Sequence, residues 1–233
     1  MNLIGQGRSV SLPFTLESLS GVIRPELIEA ALARSGRREI RLRKLPAVGV
    51  VWLVIAIGLF GDLDLPSILR QVAGTLSQLW QVVAGIRPAG KSAIAKARSR
   101  LGARVMRLLF RAVSSPVAIG STRGAFYRGL RLMAIDGQKL AVPDTPSNVK
   151  AFGRPSTTRC GQAVAGGYPQ LQVIRLVETG THVSVEAIIK PCHCGEYPFA
   201  PRLIRSAPSD ALVLMDRGFY GYTVLKEAFD QHR

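Results

Sequence analysis

The sequence predicts an α/β chain in two parts: a helical domain over residues 1–129 and a sheet-containing domain over residues 130–233. Three observations predict it. Basic charge is concentrated in the first part. Apolar residues there recur at helical spacing, whereas after residue 130 short apolar runs are separated by turn residues. Two of those runs end in aspartate. With 233 residues and 47% hydrophobic composition, the chain can bury a substantial core and is not a disordered polymer. Three cysteines exclude a disulfide-stapled scaffold and fit a reducing compartment. Met1–Phe14 has no basic stretch leading into an apolar one, so no secretory leader is expected.

The charge balance is lopsided, with 31 Lys+Arg against 15 Asp+Glu and a net of +16. An excess of this size points to an acidic partner, either nucleic acid or an anionic membrane surface. Residues 1–131 hold 20 basic and 6 acidic side chains, and residues 132–233 hold 11 and 9. No acidic residue lies between Asp64 and Asp136. A segment so one-sided repels itself unless a polyanion or counter-ions neutralise it.

The first-part elements follow in order. Leu45–Phe60 runs sixteen residues without a charge. A bilayer span needs about 20 such residues, and Trp52 sits in the middle of the run rather than at an interface. A buried core helix opened by Pro46 is therefore expected. Leu65–Val83 reads as a further helix, and Gly85–Gly90 as the break after it. Lys91 opens the next, with Ser92 as its N-cap. From Ile94 to Val113 the pattern reads as one helix, with Ala97, Leu101, Val105 and Leu108 as its apolar stripe. Arg100, Arg104, Arg107 and Arg111 repeat that spacing one residue earlier. They would line a neighbouring face able to track phosphates. Helix, turn and basic helix together suit duplex DNA.

In the second part, Leu130–Ile135 reads as a strand ending at Asp136-Gly137, with Gln138–Val142 continuing past a bend. Pro143–Asn148 carries turn chemistry. Leu171–Glu178 and His182–Ile189 form a hairpin. Val183, Val185, Ala187 and Ile189 alternate onto one face of its second strand. Tyr197–Ser206 suits a helix. Ala211–Met215 is a continuous apolar run, as in a strand buried on both faces. It ends at Asp216, and Tyr222–Gln231 reads as a helix.

Asp136 and Asp216 thus each follow a buried strand, where open α/β sheets place their functional crevice. If the strands are neighbours, the carboxylates converge and call for a cation such as Mg²⁺. The competing reading is that each aspartate caps the turn that follows it.

Several ordered motifs resemble one family. Ala134-Ile135-Asp136-Gly137, Val142–Asn148 and Ala151–Pro155 resemble the opening of the catalytic domain of insertion-sequence-4-type DDE transposases. Tyr168–Gln172 and Asp216-Arg217-Gly218-Phe219-Tyr220 continue the match. Arg43–Pro46 with its apolar run, and Lys91-Ser92 through Arg98–Gly102, resemble the family's helical N-terminal domain. The resemblance covers most of the chain from Ile23 onward.

It implies a ribonuclease-H-like mixed sheet with flanking helices, incomplete here. It makes Asp136 the first catalytic metal ligand and Asp216 the second. The implied chemistry is two-metal phosphoryl transfer with Mg²⁺ or Mn²⁺. The implied partner is double-stranded DNA at the element's terminal inverted repeats, with a homodimer left open and neither a membrane nor a small-molecule substrate. Arg98, Arg100, Arg104, Arg107, Arg111 and Arg217 are the expected DNA contacts. The implied setting is a bacterial cytoplasm, on the nucleoid when bound.

The family's third carboxylate lies in a Y-x2-R-x3-E-x6-K motif well beyond the second aspartate. No such motif follows Asp216 here, and Glu227 comes too early to fill the role. The metal site is therefore incomplete within these residues, and a C-terminally truncated transposase, inactive alone, is expected. A non-enzymatic DNA-binding fragment that inhibits the full-length enzyme is the alternative, with a membrane-associated basic protein behind it. Cys192-His193-Cys194 lacks zinc-ligand spacing. Asp144, flanked by prolines, reads as a structural residue.

Overall fold

A computed structural model describes residues 12–41, 43–79, 89–159 and 162–231. The chain divides into two compact units, Met1–Val113 and Ser114–Arg233.

The first unit is helical: α1 (Leu12–Ser20), α2 (Pro25–Ser35), α3 (Ala47–Leu59), α4 (Leu65–Leu79), α5 (Lys91–Leu101) and α6 (Ala103–Val113). Helix α2 starts with Pro25 and stops at Gly36, whose φ of 68° is the left-handed conformation that glycine adopts freely. Helix α3 is the core of the unit. Val50, Val51, Trp52, Leu53 and Ala56 are at most 1% exposed, as expected of a helix that is apolar nearly all round. Among the described residues, no helix is long and apolar enough to cross a membrane. The sixteen-residue apolar run is thus a core helix, packed with Leu16, Ile28, Leu32, Ile68, Leu69, Ile94 and Val105.

The expected basic helix over Ile94–Val113 is two helices. Gly102 separates α5 from α6 with φ 73° and ψ 161°, and its N–H still bonds the Arg98 carbonyl. Side chains rarely adopt that backbone conformation, so glycine is the natural residue at the break. Leu109 rather than Leu108 is buried on α6. The N-cap of α5 is Gly90, without a side-chain bond, and not Ser92. The expected break at Gly85–Gly90 lies mostly outside the described residues.

The second unit is a five-stranded mixed sheet with a separate two-stranded ribbon. In chain order it runs β1 (Phe126–Tyr127), β2 (Leu130–Ala141), α7 (Pro146–Phe152), β3 (Ser156–Arg159), β4 (Gln162–Ala165), β5 (Gln170–Glu178) and β6 (Ser184–Pro191). Then come α8 (Ala200–Ile204), β7 (Ala211–Met215) and α9 (Tyr222–Gln231). Strand β2 pairs antiparallel with β5 and parallel with β7. Met133, Ile135, Ile174, Leu176 and Ile188 form one buried face of the sheet. They pack with Ala200, Leu203 and Ile204 of α8 and Val224 of α9.

Four local expectations change. Strand β2 continues through Asp136-Gly137 to Ala141 without a bend, because β5 pairs with it on both sides of that point. The Pro143–Asn148 segment leads directly into α7, whose N-cap Thr145 accepts a hydrogen bond from the Asn148 N–H. On β6 the buried residue is Ile188, while Ile189 is 59% exposed. The register shift opposite Leu176/Val177 makes Val185 an extra residue and reverses the alternation beyond it. Finally, β7 is not buried on both faces: Leu214 is 49% exposed.

Candidate active site

The parallel pairing of β2 and β7 builds the site. Its register runs from Arg131↔Ala211 to Ile135↔Met215. The next residue on each strand is an aspartate, Asp136 on β2 and Asp216 after β7. Asp216 thus lies at the carboxyl end of β7, and Asp136 lies midway along the neighbouring β2, about 4.8 Å away at the backbone by ordinary strand spacing. Both are exposed.

Each carboxylate has one short-range donor. Asp136 Oδ1 accepts from the Gly137 N–H at 2.8 Å. Asp216 Oδ1 accepts from the Gly218 N–H at 2.9 Å and caps the short 3-10 turn Arg217–Phe219. Asp216 therefore caps the turn that follows it, whereas Asp136 lies within β2 and caps none. Arg175 faces Asp136 across the β2–β5 pair. Among the described residues, none of the ion pairs involves Asp136 or Asp216.

A cleft of about 440 Å³ adjoins Asp216, with Lys139, Gln172, His193, Glu196, Tyr197 and Phe219 among its lining residues. Glu196 comes from the loop before α8 and accepts a hydrogen bond from Gln172 Nε2. Its carboxylate lies directly over Gly137, where a Cβ would overlap it. A side chain at 137 would push the Glu196 carboxylate aside, and the φ of Gly137 is not left-handed. Gln172 is only 3% exposed, and its Oε1 is buried with no hydrogen-bond partner among the described residues. Sequence reasoning missed Glu196 and Gln172. The only local trace was the glycine after Asp136.

Behind the site, Glu178 at the end of β5 is wholly buried. It accepts hydrogen bonds from the Val117 and Ala118 N–H groups at 3.1 and 2.9 Å, from Thr181 Oγ1 at 2.5 Å, and from Arg131. Burial alone would raise its pKa. The Thr181 hydroxyl, the two backbone N–H groups and Arg131 outweigh burial and hold the carboxyl below its ordinary value.

The remaining sequence candidates fall as follows. Arg217 is exposed on the turn beside Asp216. Arg98, Arg104, Arg107 and Arg111 are exposed on the helical unit. Arg100 turns inward: its Nη2 donates to the Leu45 carbonyl at 2.9 Å and pairs with Glu39 at 3.3 Å. The row of four is thereby divided, with Arg100 on α5 and the others on α6. Asp144 pairs with Arg154 at 2.7 Å and Glu227 with Arg205 at 2.6 Å. Cys192 is buried, and among the described residues no three His, Cys, Asp or Glu side chains gather to hold a metal ion.

A helical basic unit followed by a mixed sheet, with aspartates on strand β2 and after its neighbour β7, defines the class, a two-unit α/β protein. Two family models divide the chain between them. Residues 13–111 match the insertion element 4 transposase N-terminal model, and residues 127–233 match the transposase DDE domain. The transposase InsG for insertion sequence element IS4 of Escherichia coli (strain K12) is 31% identical over 226 residues. That alignment covers 97% of this chain and 48% of the relative. The putative transposase InsZ of the same strain is 27% identical over 200 residues, covering 86% of this chain and 63% of the relative. The chain thus spans about half to two thirds of the length of these curated relatives. No solved structure matches it. The chain belongs to the insertion-element-4 type of DDE transposases.

Proposed function

We propose that this chain supplies the end-binding unit and two of the metal-binding carboxylates of a DNA transposase acting at terminal inverted repeats. The single observation that carries the reading is the Ile135↔Met215 register, which supports Asp136 and Asp216 lying next to each other one residue further on. Their exposed oxygens, free of basic partners among the described residues, are the donor set a hard divalent cation takes. Mg²⁺ or Mn²⁺ held there would neutralise phosphoryl charge at the scissile bond. The chain's own residues do the rest. Gly137 and Gly218 N–H groups orient the two carboxylates. Arg217 is placed to meet a phosphate beside Asp216. Exposed Arg98, Arg104, Arg107 and Arg111 hold the duplex electrostatically.

Residues 217–233 contain no Y-x2-R-x3-E-x6-K motif, so these 233 residues do not supply the third carboxylate. Taken alone, these residues bind a cation and DNA without cutting. The test uses purified residues 1–233, element-end duplex and Mn²⁺. Mn²⁺ binding, read by electron paramagnetic resonance, should be lost in Asp136→Asn and Asp216→Asn, and no strand cleavage should occur in any sample. Unchanged Mn²⁺ affinity in both variants, or metal-dependent cleavage by the wild type, would overturn the reading.

A further inference from the structure

The helical unit carries a second basic surface that the arginine row does not include. Gly36, at the end of α2, begins a loop that runs to Pro46 at the start of α3. This loop and α5 form the two walls of a groove. One end of the groove is a concavity of about 260 Å³, the other one of about 510 Å³. They share Arg43, Ala97 and Arg100 and are therefore continuous. Arg37, Arg38, Arg41, Arg43, Lys44 and Lys96 line it, all exposed.

Glu39 braces the groove from within. Its Oε2 accepts from the Ala47 N–H at 2.9 Å, which places a carboxylate at the N-terminus of α3. Its Oε1 lies 3.3 Å from Arg100 Nη2 and 3.6 Å from Arg43 Nε. Arg100 in turn ties α5 to the Leu45 carbonyl. One inward anion thus fixes the walls while the other cations stay outward. Arg38 has an exposed partner in Glu29 at 3.6 Å. Arg37, Arg41, Lys44 and Lys96 have no ion-pair partner among the described residues. At the rim, between Arg38 and Arg41, Ile40 is completely exposed.

We propose that the basic rim of this groove meets duplex DNA, its cations on the phosphates and Ile40 against the sugars or base edges. The concavities are far narrower than a duplex, so the rim makes the contact, and exposed cations spread over a loop and a helix around one aliphatic side chain suit a polyanion rather than insertion into a bilayer. An exposed aliphatic residue set among arginines matches the apolar contacts that proteins make inside a DNA groove. The inference rests on the DNA-binding reading above and gives its surface.

The experiment measures anisotropy of labelled duplex with residues 1–233 over a salt series. It compares wild type, an Arg37→Gln/Arg41→Gln/Lys96→Gln variant and Ile40→Ala, with circular dichroism to confirm folding. None of these four residues is braced by an ion pair. Three lost phosphate contacts should reduce the slope of log affinity against log salt by about 2.7. Ile40→Ala should weaken binding about fivefold at every salt concentration and leave the slope unchanged. A wild-type slope retained by the triple variant overturns the groove while leaving the DNA-binding reading intact. A wild type with no salt-dependent duplex binding overturns both. Binding to phosphatidylserine vesicles that the triple variant loses, with duplex binding unaltered, assigns the groove to membranes and overturns the inference.

Discussion

Glu178→Gln should destabilise the sheet unit and leave the helical unit untouched. The Glu178 carboxylate satisfies two backbone N–H groups of the segment entering the unit, the Thr181 hydroxyl and the Arg131 guanidinium. The Arg131 side chain is itself only 17% exposed and lies over the Phe126 ring. Glutamine keeps the shape but loses the charge and turns one acceptor into a donor facing donors. Removing one partner of a buried pair costs about 3–5 kcal/mol. Because glutamine retains one acceptor, we expect the low end, about 3 kcal/mol. A unit of this size has an unfolding entropy such that 3 kcal/mol lowers Tm by roughly 12 °C.

The assay separates the units by chromophore. Both tryptophans, Trp52 and Trp80, lie in the first unit, and all five tyrosines lie in the second. Tyrosine near-ultraviolet dichroism should therefore shift while tryptophan fluorescence does not. The pH dependence has a definite sign. A carboxyl held below the ordinary glutamate value of 4.5 contributes stability that is present in full above that pH. It is lost as pH falls through the lowered folded value. The wild-type tyrosine transition should thus lose part of its advantage over Glu178→Gln below pH 4.5. A Tm within about 2 °C of wild type at neutral pH, or a shift confined to the tryptophan signal, would refute the reasoning.

Two further substitutions test the close approaches. Gly102→Ala forces a side chain into φ 73° at the break between α5 and α6, costing about 1–3 kcal/mol, and should lower the tryptophan transition alone. Gly137→Ala should displace the Glu196 carboxylate from Gln172 and cost about 1 kcal/mol in the tyrosine transition. Combined with Glu196→Ala, it should recover about that amount relative to additivity. Strict additivity would mean that Glu196 is not what a side chain at 137 displaces.

Elements with strong local patterns were legible in the sequence. The core helix α3, the β5–β6 hairpin, β7 and α9 all carry their periodicity and their turn residues within a few positions. The end of β7 at Asp216 was legible, whereas β2 continues past Asp136, and its pairing with β7 is a long-range contact. What failed depends on single residues that interrupt a pattern. Gly102 breaks a run whose apolar spacing continues beyond it, and spacing alone does not register φ. The bulge at Val185 reverses a face, and alternation assumes that no residue is extra. Glu196 and Gln172 were invisible because residues distant in sequence bring them to Gly137.

The sheet unit contains two kinds of carboxylate, and the contrast carries the functional argument. Glu178 is buried, receives four donors and is neutralised by Arg131, so its charge is consumed by the fold. Asp136 and Asp216 are exposed and receive one backbone donor each. Neither makes an ion pair among the described residues, although Arg175 stands opposite Asp136 on β5. The basic residues instead concentrate in the first unit, with 17 Lys+Arg against 6 Asp+Glu over residues 1–113. Arginine placed on the aspartate pair would occupy the oxygens that a divalent cation needs. It would also leave fewer cations for a duplex, whose attraction is screened beyond about 8–10 Å at physiological salt. On the proposed function, separate locations for phosphate-binding cations and under-coordinated carboxylates would let one chain hold a polyanion and a metal ion at once.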